Sequence, residues 1–418
     1  MDPWNGARVD VPARDRAEKV VAPLLVRQRS IRRSGCGRRA PPAQGSSLGL
    51  MRLVVVSQLP PPFHGSTIMT ARFLEALRAS GHEVLLVERR FSRRVDEVGR
   101  FSVAKIPKAM SLVLRAWRYG AQRGVHGIIV FSTTRTFSFL VDWVILEALR
   151  PVASKTLLYV HTVGYEALAQ RGRLWRWLVS RTLGQGRRVV CLGPSLVADV
   201  RAWVPPSRVT IIGNTTTAEP GYDSGVGARR PSGYFLFFSN LIPEKGPESF
   251  LDASIAVAQH FGDAKFVLAG ASASDSYTAE IVRRAQTHPR IEFVGAVTDP
   301  REKWELIRGA AALVFPSSYP YEAQPLTILE AMSVGTPVVA FDVGGISDVV
   351  VPGVSGLLVP PGDTDGLVVA MKRLLGEAGL RESLSAGSRE RFSACFSEST
   401  YRENWEETLG DLVDGAGP

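Results

Sequence analysis

The sequence predicts an α/β protein of two domains, and three observations carry that prediction. The chain has 418 residues, more than one hydrophobic core usually supports. Short apolar runs rich in Val, Ile and Leu alternate with stretches of helical length and periodicity. Near the middle, residues 218–233 (Ala-Glu-Pro-Gly-Tyr-Asp-Ser-Gly-Val-Gly-Ala-Arg-Arg-Pro-Ser-Gly) break the alternation with turn-forming residues and read as a linker.

At 45% hydrophobic and 22% charged, the composition is that of a soluble globular protein. The net charge of +10 is unevenly placed: residues 1–50 hold nine Arg and one Lys against four acids, so +6 lies there and +4 in the rest. A basic body would point to nucleic acid or an anionic membrane, but most of this excess lies in the first 50 residues. Three widely spaced cysteines, Cys36, Cys191 and Cys395, read as neither a disulfide framework nor a metal site, which fits a reducing, cytoplasmic compartment. No run of 18 apolar residues predicts a membrane-spanning helix, and Phe137–Leu149 is too short and carries Asp142 and Glu147.

In chain order, residues 1–50 read as a disordered, Arg-rich extension. Met51-Arg-Leu-Val-Val-Val opens a strand at once and reads as the start of translation. Residues 52–57 form that strand, Gln58–Gly65 a turn, and Ser66 caps a helix to about Ser80, with Gly81 ending it. Glu83–Val87 is the second strand. Gly65 either makes the first strand-to-helix turn or lets a ligand approach. Further strands fall at Gly127–Phe131, Thr156–Val160, Val189–Leu192 and Val209–Ile212. Between them lie two basic amphipathic stretches, Val103–Arg118 and Leu174–Arg188, which suit either an ordinary surface helix or one lying on an anionic bilayer. His161 follows one strand, at a carboxyl end that suits a structural or a site histidine.

The second half begins with strand Tyr234–Phe238, then Ser239-Asn-Leu-Ile-Pro-Glu-Lys-Gly246 and a helix from Pro247 to about His260. Strands at Phe266–Leu268 and Ile291–Val294 and helices from about Tyr277 and from Asp299 continue the pattern. Asp363-Thr-Asp365 reads as capping before a helix over Leu367–Leu375, and the helices after Glu377 as returning to the first domain with Trp405 as anchor.

The most informative stretch runs from the apolar strand Ala311–Phe315 through Pro316 to Ala340. It reads strand, loop, helix, strand, with Pro325 in the first helical turn and Gly335 closing the helix. Ligands of open α/β sheets bind at strand carboxyl ends, where Glu322 falls, with Glu330 on the helix behind it. A carboxylate can accept from two neighbouring sugar hydroxyls, and a helix N-terminus favours phosphate. The bare spacing also suits two solvated glutamates; the surrounding Pro-Ser-Ser, Pro-Leu and Glu-Ala-Met-x-x-Gly-x-Pro-Val-Val-Ala shift the reading toward a site.

With those residues in view, the stretch resembles the Glu-x7-Glu signature of the family-four retaining glycosyltransferases, glycosyl transferases group 1. The resemblance extends over about residues 51–400 and is densest at 234–365. It implies the GT-B fold: α/β, two Rossmann-like domains with parallel sheets facing an interdomain cleft. The boundaries would be 51–217 for the acceptor domain, 218–233 for the linker and 234–390 for the nucleotide-sugar domain, with 391–418 returning to the first. It implies that Glu322 contacts the transferred sugar, Glu330 the ribose and His161 the donor sugar. Gly65 sits in what resembles the family's Pro-Pro-x-x-Gly-Gly loop, with Ser66 in place of the second glycine. Lys245 resembles the lysine of Gly-Arg-Leu-x-x-x-Lys-Gly, which neutralises the diphosphate; Asn240 stands where the arginine is usual. Val297 lies where the family wraps its base, and Leu326 and Thr327 where a helix start meets phosphate. Ser195 and Asn214 match less specific positions near the cleft.

The function implied is a metal-independent hexosyl transfer with retention, needing no cofactor. The donor would be a UDP- or GDP-hexose and the acceptor a hydroxyl of a glycan or glycolipid, in cell-envelope glycan, polysaccharide or glycolipid synthesis. The protein would be cytoplasmic, peripheral at the membrane's inner face, and would bind no nucleic acid. The rivals are a GT-B nucleotide-sugar epimerase and a catalytically weak sugar-nucleotide-binding scaffold. A dehydrogenase would need a Gly-x-Gly-x-x-Gly turn after a strand, and neither half has one.

Overall fold

The computed structural model describes residues 49–61, 64–89, 106–217, 233–272, 274–413 and 415. The expectations for residues 1–48, for most of the linker (218–232) and for Val103–Lys105 fall outside the described residues.

The apolar runs form two six-stranded parallel sheets. The first contains β1 (Arg52–Ser57), β2 (Glu83–Glu88), β3 (Gly127–Ser132), β4 (Thr156–Val160), β5 (Arg188–Cys191) and β6 (Val209–Ile211), in the order β2-β1-β3-β4-β5-β6. Its connecting helices are α1 (Gly65–Ala79), α2 (Ile106–Gly120), α3 (Thr136–Ala148), α4 (Tyr165–Gln170), α5 (Arg173–Leu183) and α6 (Pro194–Val200). The second contains β7 (Tyr234–Phe238), β8 (Phe266–Ala269), β9 (Ile291–Gly295), β10 (Ala310–Phe315), β11 (Val338–Phe341) and β12 (Gly356–Val359), in the order β12-β11-β10-β7-β8-β9. Its helices are α7 (Pro247–Ala258), α8 (Asp275–Gln286), α9 (Pro300–Gly309), α10 (Leu326–Ser333), α11 (Ile346–Val349), α12 (Thr364–Gly376) and α13 (Leu380–Cys395).

The strands have no polar face because helices cover both sides, so β1, β3, β4 and β10 are almost wholly buried. In each sheet the strand order reverses once, between β1 and β3 in the first and between β7 and β10 in the second. Such reversals open a crevice at the strands' carboxyl ends, where ligands bind in this class of sheet. A last helix, α14 (Glu398–Val413), lies on the first sheet, where Trp405 packs 4.5 Å from Phe73 and 5.0 Å from Tyr159, centroid to centroid.

Three local readings need correction. The first helix starts at Gly65 and not after Ser66; its cap is His64, whose N–H bonds to Thr67 Oγ1 at 3.1 Å. The basic stretch from Leu174 ends as a helix at Leu183, because Gly184 stops it and Arg188 opens β5. Pro325 is the extended cap before α10 and not part of its first turn. Cys191 is a buried free thiol. The Asp363 reading holds: its carboxylate accepts from the Gly366 N–H at 2.8 Å and caps α12. Among the described residues no helix is long and apolar enough to cross a membrane.

Candidate functional site

The second sheet's reversal brings Lys245 and Glu322 together. Lys245 ends a short 3-10 turn (Pro243–Lys245) after β7, and Glu322 lies in the loop after β10. Lys245 Nζ stands 2.5 Å from Glu322 Oε2, which also accepts from Ser317 Oγ at 2.7 Å. Lys245 Nζ lies over the rings of Tyr319 (4.8 Å) and Phe315 (5.4 Å). The two loops are also joined through backbone, with the Ser318 N–H donating to the Glu244 carbonyl at 2.8 Å.

Close glycine contacts fix this loop pair. Gly246 adopts φ +74°, and a Cβ there would stand 2.0 Å from the Pro316 carbonyl oxygen. On the far side, a Cβ at Gly345 would stand 2.0 Å from the Ala323 oxygen. No side chain fits at either point without moving the Glu322 loop.

Glu330 is buried on α10 and accepts from Lys303 Nζ of α9 at 2.8 Å. Arg72 of α1 faces it from the first sheet and donates to the Thr215 carbonyl. Burial lowers the Arg72 pKa, and the Glu330 charge opposes that shift. The first N–H groups of α10, at Leu326 and Thr327, have no carbonyl one turn back to bond within the helix.

The first sheet contributes from the opposite side. Arg135, after β3, donates to Tyr319 Oη at 2.6 Å and so links the two sheets. His64 is within electrostatic reach of Arg135 and Arg89; burial, then those two charges, push it down to about 4. Arg89, just past β2, pairs with the fully buried Asp142, which burial raises to about 6 although Arg89 opposes the shift.

His161, at the end of β4, stacks on Phe131 with centroids 4.8 Å apart. Burial, then Arg89, push its pKa down to about 3, so the ring is neutral at ordinary pH. Its Nε2 is buried without a hydrogen-bond partner among the described residues. A neutral imidazole can donate or accept one bond there but is a poor general base.

Lys245, Glu322, Tyr319, Arg135, His64, Arg89 and His161 thus form one continuous chain of contacts and electrostatic neighbours across both sheets. Glu330, Leu326 and Thr327 share α10 behind it. Gly65 is exposed, with open space where a Cβ would project. Asn240 is exposed after β7, and Val297 is half-buried against the second sheet's core. Ser195 and Asn214 instead pin the sheets together: the Ser195 N–H and hydroxyl bond to Asp348, and Asn214 Nδ2 donates to the Gln324 carbonyl at 3.0 Å. Reading motifs alone missed His64, Arg72, Arg89, Arg135 and Lys303. Arg89 directly follows β2 and Arg135 lies three residues past β3, and that position was the available signal.

Residues 232–377 match the family described as glycosyl transferases group 1. Among curated proteins, the chain is 29% identical to alpha-maltose-1-phosphate synthase of Mycolicibacterium smegmatis, over 63% of this chain and 70% of that one. The chain spans less than half the length of the first curated relatives it matches. Among solved structures, a sucrose-phosphate synthase from Thermosynechococcus elongatus aligns with TM-score 0.68 and 22% identity, over 88% of this chain and 100% of that one. The Anabaena protein HepE, in complex with UDP and glucose, aligns with TM-score 0.61 and 17% identity, over 86% and 99%.

Proposed function

We propose, from the match of residues 232–377 to the glycosyl transferases group 1 and from the GT-B fold, that this protein moves a hexosyl group, with retention, from a nucleoside diphosphate sugar to a hydroxyl of a glycan or glycolipid. The observation that carries the reading is the Lys245–Glu322 pair at the β7/β10 reversal, with Glu330 one helix behind it. The complex of Anabaena HepE with UDP and glucose supports a UDP-hexose donor.

In this reading Glu330 accepts the ribose hydroxyls, displacing Lys303, and the apolar edge at Val297 flanks the base. The diphosphate lies at the α10 N-terminus by Leu326 and Thr327, beside Lys245. Stabilising the charge that develops there as the sugar departs is the main catalytic contribution. Asn240 supplies a hydrogen bond but no charge, and Arg135 supplies the second cation: its guanidinium bonds only a neutral hydroxyl, Tyr319 Oη, among the described residues. Glu322 and His161 hold the sugar, and Gly65 leaves room for it. The acceptor hydroxyl attacks from the face the phosphate leaves, and a phosphate oxygen takes its proton. The scheme calls for no metal.

The test is titration calorimetry and turnover with UDP-, GDP- and ADP-hexoses, with the anomeric configuration of the product read by NMR. One donor binds, Glu330→Ala and Lys245→Ala abolish binding, and the product keeps the donor's anomeric configuration. Failure of every nucleotide sugar to bind at about a millimolar, above typical KM values, removes the reading. Release of an isomerised free sugar without acceptor would favour an epimerase. Arg135→Ala and Asn240→Arg divide the charge question: the first lowers turnover and the second leaves it unchanged or reduced.

A further inference from the structure

Helices α2, α3 and α5 lie side by side on one face of the first sheet. Their inner sides pack on the core through Leu112, Ala116, Ile145, Leu178 and Val179. Their outer sides are also apolar. Met110, Leu114 and Trp117 recur at four and three residues along α2, so they form one outward stripe. Leu174 and Trp177 do the same on α5, and these five side chains are 48–64% exposed. Val144 of α3 stands between the two stripes, and Trp143 touches Trp177 at 5.9 Å. Of the ten large apolar side chains most open to solvent among the described residues, six stand on these three helices.

The charge on this face has one sign. Helices α2 and α5 contain no acidic residue. On α3, Asp142 is fully buried and Glu147 is paired bidentately with Arg181. Arg115, Arg118, Arg173 and Arg176 are exposed, and none pairs with a carboxylate among the described residues. Arg171 covers the Trp175 ring and donates to Thr136 Oγ1 at the start of α3.

We propose that this face docks on an anionic lipid bilayer, with Met110, Leu114, Trp117, Leu174 and Trp177 entering the interface and the arginines meeting lipid phosphates. Tryptophan beside aliphatic side chains and unopposed arginine is the composition that an interfacial helix needs. A second copy of the same face would set arginine against arginine. Nucleic acid offers no hydrocarbon for Leu and Met. The patch reaches the site: Arg171 bonds the residue next to Arg135, which itself reaches Tyr319. A lipid-borne acceptor would then present its headgroup to the cleft without leaving the membrane. That last point rests on the proposed transferase reading; the docking does not.

The test is cosedimentation of the full chain with phosphatidylcholine vesicles, with and without about a third phosphatidylglycerol. The wild type pellets with the anionic vesicles, stays in solution with neutral ones, and is released by about 0.5 M salt. Trp117→Ser/Trp177→Ser and Arg115→Gln/Arg118→Gln/Arg176→Gln each weaken binding about tenfold or more. Their thermal melts stay within a few degrees of the wild-type value, because the altered side chains are about half exposed or more. Wild type that stays in solution, or variants that bind as it does, would overturn the proposal. So would concentration-dependent dimerisation, measured by sedimentation without vesicles, that the tryptophan variant abolishes. Calorimetry with the UDP-hexose on the same preparations tests the donor site separately, so loss of one reading is distinguishable from loss of the other.

Discussion

Replacing Lys245 by methionine tests how Glu322 is held. In the wild type the two side chains are 16% and 8% accessible and 2.5 Å apart. Lys245→Met keeps the bulk over Phe315 and Tyr319 but leaves a buried carboxylate with only the Ser317 hydroxyl as a side-chain partner. Breaking a buried pair from one side costs about 3–5 kcal/mol, and the residual accessibility puts this one near the lower end, about 3 kcal/mol. Removing both charges, in Lys245→Met/Glu322→Gln, costs only about 1 kcal/mol, since an uncharged pair leaves no stranded carboxylate. Glu322→Gln alone costs about 1 kcal/mol, since its amide oxygen can still accept from Lys245, and the coupling energy between the positions is then about 3 kcal/mol in magnitude. Urea denaturation of wild type, both single variants and the double variant, followed by tryptophan fluorescence, measures it. Effects that simply add, within about 0.5 kcal/mol, would show that Lys245 does not hold Glu322 and would remove the basis for the proposed site.

Other expectations follow from the same geometry. His161 is depressed to about 3; the folded protein therefore binds fewer protons than the unfolded chain. Its contribution is complete above pH 6.5 and is lost as pH falls toward 3, by at most roughly 5 kcal/mol. His161→Gln flattens that part of the stability profile between pH 6.5 and 4, measured by chemical denaturation; an NMR titration midpoint near 6.5 for His161 would contradict this. Gly345→Ala pushes a methyl against the Ala323 carbonyl and shifts the Glu322 loop, so kcat/KM falls about a hundredfold while the melting temperature changes by only a few degrees. Trp405→Ala removes a fully buried ring between Phe73 and Tyr159 and costs about 3–5 kcal/mol in denaturant unfolding.

Much of this fold could be read from residues alone, because strands covered on both faces become uninterrupted apolar runs. Val54-Val55-Val56, Leu157–Val160 and Ala311–Phe315 show it plainly. Helix α3 escaped because it is apolar on nearly every side, and without a polar face it has no 3.6-residue signature. Strand β12 escaped because Gly356-Leu-Leu-Val359 is short and set among glycines. In the site, Glu322, Glu330 and Lys245 were legible from a local pattern. Arg89, Arg135 and Arg72 come from three separate elements, and only the folding of both sheets brings them near the glutamates and His161. His64 was hidden for a different reason: Ser66 is the better cap by type, but the chain turns into helix two residues earlier, and the imidazole takes the capping position.

The docking of α14 on the first sheet also dictates the order in which the protein can be finished on the ribosome. Strands β1 to β6 emerge with Phe73 and Tyr159 already placed, yet the ring that closes over them is Trp405, which is made only after the second sheet. The first sheet must therefore wait through synthesis of the whole second sheet with an aromatic surface uncovered. A nascent chain stalled before α14 presents that surface to chaperones or to other nascent chains. A fragment ending at β6 is not a smaller version of the protein; it is an arrested stage of its assembly.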